Sequence, residues 1–158
     1  MNKKTLILAL SAISFNSFAS ELYYPTIPTF KSTEHGELLV GMDGLALYTF
    51  KKDTISPFPP KCTKIEDAGP LGSCLARWPA ATITLNEIKE LAEKDLNFNV
   101  VLNTDINKLQ LTYMGLPVYY WFKDSDDKNF TGDGVSNAWS LIIKGQKPTM
   151  FDGLSAKK

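Results

Sequence analysis

The sequence predicts a mostly β fold: two degenerate hairpin-based repeats packed as one pseudo-twofold domain, with one short helix at about 85–94. Three observations predict it. The segment Gly44-Leu45-Ala46-Leu47-Tyr48-Thr49-Phe50-Lys51-Lys52-Asp53 reappears seventy-one positions on, without a gap, as Gly115-Leu116-Pro117-Val118-Tyr119-Tyr120-Trp121-Phe122-Lys123-Asp124. Each copy follows an apolar run and a turn, Met42-Asp43-Gly44 or Met114-Gly115, the pattern of a β-hairpin. Each then enters an irregular loop and later reaches a tryptophan, Trp78 or Trp139. Repeat 1 spans about 37–83 and repeat 2 about 108–145, within a two-repeat domain over 37–145.

Taken in order, the chain opens on an export signal. Lys3 and Lys4 form a basic n-region, Leu6 to Phe15 an apolar h-region, and Ser17-Phe18-Ala19 a signal-peptidase site. Residues 1–19 are therefore expected to be removed by cleavage between Ala19 and Ser20, leaving a soluble periplasmic or secreted protein. The apolar run is too short to predict a membrane span, and no cysteine stands at the cut to carry a lipid anchor. The remaining chain has 15 basic against 17 acidic residues and no basic patch, which argues against nucleic acid as a partner. Residues 20–36 are Pro- and Thr-rich and predict an extended lead-in.

Strands are predicted at Glu37 to Gly41 and Leu45 to Lys51, forming the first hairpin. The Pro- and Gly-rich stretch from Thr54 to Ser73 excludes regular pairing and carries Cys62, with Cys74 just beyond it. An even pair in an exported chain predicts a structural disulfide. Eleven residues between the cysteines do not fit a Cys-x-x-Cys redox motif, and zinc would need further Cys or His ligands where the chain has only His35. Thr84-Leu85-Asn86-Glu87 is a capping box opening a helix with Leu85, Ile88, Leu91 and Ala92 at helical spacing. Alternation then predicts a strand over 96–102 and a second hairpin, Lys108 to Tyr113 with Leu116 to Phe122. A polar loop, a last strand over Val135 to Ile143 and a polar tail over 146–158 complete the chain.

The repeated segments carry the candidate functional residues. Residues two apart on a strand share a face, so Tyr48 goes with Phe50 and Tyr119 with Trp121. One reading makes these rings a core layer and makes Asp53 and Asp124 Asx-type caps at the strand ends. The other gathers Tyr48, Phe50, Asp53, Tyr119, Trp121 and Asp124 into a ligand-binding groove for a sugar, a peptidoglycan fragment or a planar cofactor. The loop Asp124-Ser125-Asp126-Asp127-Lys128-Asn129 departs from a calcium-binding EF-hand, with Asn129 and Val135 where Gly and Glu are required, and reads as a solvated loop. His35 has no serine-centred nucleophile motif to serve. No catalytic residue, metal ligand or cofactor is predicted.

On these residues the chain resembles the bacterial secreted-repeat lipoprotein family, whose members carry a Tyr-x-(Phe/Trp/Tyr)-x-x-Asp motif. Tyr48 to Asp53 and Tyr119 to Asp124 both match it, with Cys62…Cys74-Leu75-Ala76-Arg77-Trp78-Pro79 and Gly132-Asp133-Gly134-Val135…Trp139 alongside. The resemblance covers about residues 37 to 145. It implies export and a β-rich repeat, and it implies no established reaction. Two departures stand out: many relatives are lipid-anchored, and the loop between the cysteines is usually shorter. The expectation is an exported, non-catalytic binding or interaction module of the cell envelope, its partner an unidentified envelope component or small ligand. The alternative is a small periplasmic redox, haem or metal-handling protein carrying a bound cofactor.

Overall fold

Alternating apolar residues build the central hairpin. Lys108–Tyr113 and Leu116–Tyr119 pair antiparallel through a turn at Met114 and Gly115, both with positive φ (47° and 82°), as a two-residue turn matched to strand twist requires. The computed structural model describes residues 22–65 and 72–148. The expected signal peptide with its cleavage site, and the tail from residue 149, lie outside the described residues.

The strands are β1 (Tyr23–Pro25), β2 (Thr29–Thr33), β3 (Gly36–Val40), β4 (Tyr48–Phe50), β5 (Ala80–Thr82), β6 (Phe98–Asn103), β7 (Lys108–Tyr113), β8 (Leu116–Tyr119) and β9 (Trp139–Leu141). Seven form one sheet in the order β1-β5-β7-β8-β4-β9, with β6 also paired to β7. The remaining two, β2 and β3, form an antiparallel pair. The fold is mostly β, as expected. Successive residues alternate between two buried clusters, as a pleated sheet demands. Leu47, Val118 and Tyr120 join one with Leu39, Leu111 and Ile142, while Tyr48, Tyr119 and Trp121 join the other with Phe50, Trp78 and Trp139.

The expected helix is α3 (Leu85–Lys94), and its capping box is intact: the Glu87 amide donates to Thr84 Oγ1 at 3.3 Å and the Thr84 amide to Glu87 Oε2 at 2.9 Å. Two one-turn helices accompany it, α1 (Lys51–Ile55) and α2 (Cys74–Arg77). Each buries a single residue, Asp53 or Leu75, so neither has the repeated apolar spacing from which a helix is read. Tertiary contacts set both: Ser73 caps α2 through the Ala76 amide, and Asp53 is held by partners described below.

Two further expectations change. From Tyr23 on, the segment expected as a lead-in is built into the sheets: β1 pairs parallel with β5, and β2 runs the length of β3. The first hairpin survives only at its closed end, where the Leu47 amide donates to the Leu39 carbonyl at 3.0 Å and Val40 bridges Ala46. β4 then leaves β3 and inserts between β8 and β9. The apolar pattern of residues 45–50 is satisfied by either partner, so it could not choose between them.

Cys62 and Cys74 are joined in a disulfide, with Cα atoms 5.2 Å apart. The bond lies in the connection between β4 and β5 rather than between two strands, and a closed loop of this length contributes on the order of 3 kcal/mol by restricting the unfolded chain. Reductant is therefore expected to lower the melting temperature while leaving the far-ultraviolet circular dichroism at room temperature unchanged. An unaltered melting temperature would refute this.

Candidate functional site

The antiparallel register of β4 and β8 sets Tyr48 directly opposite Tyr119. Because the two strands run in opposite directions, the acid that ends each segment lies near the tyrosine of the other. The hydroxyl of Tyr48 donates to Asp124 Oδ2 at 2.5 Å, and that of Tyr119 to Asp53 Oδ2 at 2.9 Å. Each acid also closes its own loop. Asp53 Oδ1 accepts the Lys61 amide at 2.7 Å, and Asp124 Oδ1 accepts the Thr131 amide at 3.0 Å and hydroxyl at 2.8 Å. One of the two readings makes these acids Asx-type caps at the strand ends; in the structure they accept from amides eight and seven positions ahead.

Asp53 has 0 % of its surface exposed, and burial pushes its carboxyl up to about 6 from an ordinary 3.8. Asp124 is shifted upward as well, again by burial first. Burial, together with the neighbouring carboxylates, raises both Tyr48 and Tyr119 above the usual phenol range. With both phenols raised above their ordinary value, each is a protonated donor at neutral pH and the carboxylate opposite is its acceptor.

Four rings stack into a column beside these pairs. Phe50 lies 4.2 Å from Trp139 with planes 12° apart, Trp139 lies 3.7 Å from Trp78 at 5°, and Trp78 lies 4.1 Å from Trp121 at 31°. The edge of Tyr48 meets Trp78 at 5.5 Å, and that of Tyr119 meets Trp139 at 5.2 Å. The Trp121 indole N–H donates to Thr131 Oγ1, which itself donates to Asp124, so column and carboxylate share a hydrogen-bonded chain.

All six residues expected as a possible ligand site are thus brought together, and all are buried. Trp78 and Trp139, the centre of the column, were legible only as the tryptophan that each repeat reaches after its irregular loop. Thr131 and Lys61 had no sequence signal, because each is engaged through its backbone amide, to which Thr131 adds its hydroxyl, and Gly132 stood only in the Gly132-Asp133-Gly134 motif of the family resemblance. The Gly132 amide donates to the Tyr48 hydroxyl at 3.3 Å, and a Cβ there would come within 2.8 Å of the Tyr48 ring. Tyr48 cannot yield without breaking its bond to Asp124, so Gly132→Ala is expected to cost about 2 kcal/mol. Chemical denaturation measures this, and a loss under about 0.5 kcal/mol would show that the ring is free to shift.

The acidic loop does not gather its carboxylates. Asp126 caps the Lys128 and Asn129 amides, Asp127 pairs with Lys31, and Asp124 serves Tyr48. Among the described residues no group of three or more His, Cys, Asp or Glu is placed to hold a metal ion. His35 lies apart, its ring centroid 6.2 Å from that of Phe130 in an edge-on arrangement. An open cleft of about 340 Å³ lies elsewhere, beside β1 and the start of α3, lined by Tyr23, Thr82, Thr84, Glu87, Asn107 and Lys108.

Fold and site together define a small β-rich domain, clamped by a disulfide and centred on reciprocal tyrosine–aspartate pairs around stacked indoles. Residues 100–142 match a family described as a secreted repeat of unknown function. The match runs from β6 to Ile142 and takes in Tyr119, Trp121, Asp124 and Trp139. No curated protein and no solved structure matches the chain. Among the described residues, no helix is long and apolar enough to cross a membrane.

Proposed function

We propose that this chain is an exported, non-catalytic binding or interaction module of the cell envelope, built from two repeats related by a pseudo-twofold axis and released by cleavage after Ala19. What carries the reading is the internal satisfaction of the residues that look most chemical. Tyr48, Asp53, Tyr119 and Asp124 are buried, and their polar side-chain atoms are hydrogen-bonded to one another or to loop groups. Buried polar groups committed in this way hold a fold together. A ligand at Tyr48, Phe50, Asp53, Tyr119, Trp121 or Asp124 would have to open a phenol–carboxylate pair first. Recognition accordingly belongs to the outer surface, and the cleft beside β1 is the place for a small ligand.

Native mass spectrometry of the protein taken from the periplasm, with a metal scan and an absorption spectrum, tests this. The expected result is the mass of residues 20–158 less two hydrogens, with no adduct. A stoichiometric haem, metal or other tightly held group would overturn the reading in favour of a cofactor-carrying redox or metal-handling protein.

A further inference from the structure

The stacked rings and the two phenol–carboxylate pairs form one continuous path. Of the three tryptophans Trp121 lies nearest solvent, at 8 % exposure, and from it the path runs to Trp78 at 4.1 Å and on to Trp139 at 3.7 Å. It then divides to the two tyrosines, Tyr48 beside Trp78 and Tyr119 beside Trp139. We propose that this path is a one-electron relay, which carries an oxidising equivalent from Trp121 through Trp78 to Tyr48, or on through Trp139 to Tyr119, with the phenol proton passing to Asp124 or Asp53 respectively.

The order of the rings suits that task. Rings in van der Waals contact exchange electrons readily, because tunnelling weakens steeply with distance. Indole loses an electron more easily than the phenyl ring of Phe50, so the three tryptophans carry the hole. A phenol becomes the better donor once its proton has somewhere to go, since a neutral radical forms in place of a cation radical. Here the acceptor is already hydrogen-bonded to each phenol, at 2.5 Å for Tyr48 and 2.9 Å for Tyr119. Charge favours the same direction. The Lys123 ammonium lies 5.9 Å from the Trp121 ring centroid and disfavours a positive hole there, whereas the carboxylates favour one beside the tyrosines.

The step balances as follows. An oxygen-derived one-electron oxidant outside the protein takes one electron from Trp121 and is reduced. Electrons move along the indoles to fill the vacancy, and Tyr119 supplies the last of them. Its O–H bond breaks as a new O–H bond forms at Asp53 Oδ2, leaving a neutral phenoxyl radical beside a carboxylic acid. Tyr48 and Asp124 do the same on the other branch. A one-electron reductant returns the electron, and the proton goes back to the phenol. The relay needs no bound ligand, so it stands apart from the envelope-binding reading.

Azide radical generated by pulse radiolysis attacks indole in preference to phenol at neutral pH and serves as the probe on the purified protein. The tryptophanyl absorption is expected to decay in a first-order process, independent of protein concentration, as the tyrosyl absorption grows at the same rate. In Tyr48→Phe/Tyr119→Phe that growth should disappear. In Asp53→Asn/Asp124→Asn, which keeps both phenols and nearly the same shape, the tyrosyl yield should fall several-fold with the near-ultraviolet circular dichroism intact. Absence of tyrosyl growth in the wild type, growth that depends on protein concentration, or an unchanged yield in the asparagine variant would each overturn the proposal. The asparagine variant keeps the test decisive should the phenylalanine variant fail to fold.

Discussion

Trp139→Ala is expected to lower the unfolding free energy by about 4 kcal/mol, the middle of the range for removing a buried aromatic. Trp139 is the inner ring of the column, stacked at 4.2 Å on Phe50 and at 3.7 Å on Trp78, with the edge of Tyr119 against it. Each neighbour is itself held in place. Phe50 is paired with Trp139 across β4 and β9, Trp78 is gripped by Trp121, and Tyr119 is bonded to Asp53. The surroundings therefore cannot collapse into the space, and the cavity keeps its full cost. Denaturant unfolding measures the loss. Phe122→Ala is the control: that ring is 42 % exposed, and its loss should cost no more than about 0.5 kcal/mol. Comparable losses in the two variants would mean that the column does not bear on stability.

The second large effect is a dependence on pH that runs against the usual carboxylate pattern. Folding raises the Asp53 carboxyl from 3.8 to about 6, so the folded chain binds that proton more tightly than the unfolded one. Its contribution to stability is complete below pH 3.8 and is lost as the pH rises through about 6. The full change is about 3 kcal/mol, since one pKa unit corresponds to about 1.4 kcal/mol. Asp124 is shifted in the same direction by the same cause. The phenols extend the trend to alkaline pH: with Tyr48 and Tyr119 raised, stability falls again above the usual phenol value of 10.0. In Asp53→Asn the amide oxygen can still accept from Lys61 while the Tyr119 hydroxyl loses its carboxylate acceptor, a cost that does not change with pH because no titrating group is left there. The stability of the wild type relative to Asp53→Asn should thus decline from pH 4 to pH 7, which melting temperatures across that interval would show. A constant difference would mean that Asp53 titrates in the folded protein as it does in the unfolded chain.

These expectations rest on features of unequal visibility in the sequence. Local rules were enough wherever a few adjacent residues decide the outcome. The capping box at Thr84 and Glu87 placed α3 at Leu85–Lys94, and alternation with a Met114-Gly115 turn placed the second hairpin. An even pair of cysteines, in a chain whose first residues read as an export signal, was enough for the disulfide. The recurrence of Tyr48 to Asp53 at Tyr119 to Asp124 singled out the six residues that the structure brings together.

What only the tertiary structure decided was which partner each of those groups takes. A strand pattern says which residues share a face but not which strand lies alongside, so β4 was assigned to β3 when it belongs between β8 and β9. That single placement governs the rest. Once Tyr48 stands opposite Tyr119, the opposed chain directions deliver each aspartate to the other tyrosine, and Trp78 and Trp139 are left facing one another between them. Sequence alone determined the class of fold and the residues that matter, because propensity, capping and alternation act over a few neighbouring positions. The reciprocal pairing and the stacked indoles depend on contacts between residues some seventy positions apart, and only the folded chain sets those.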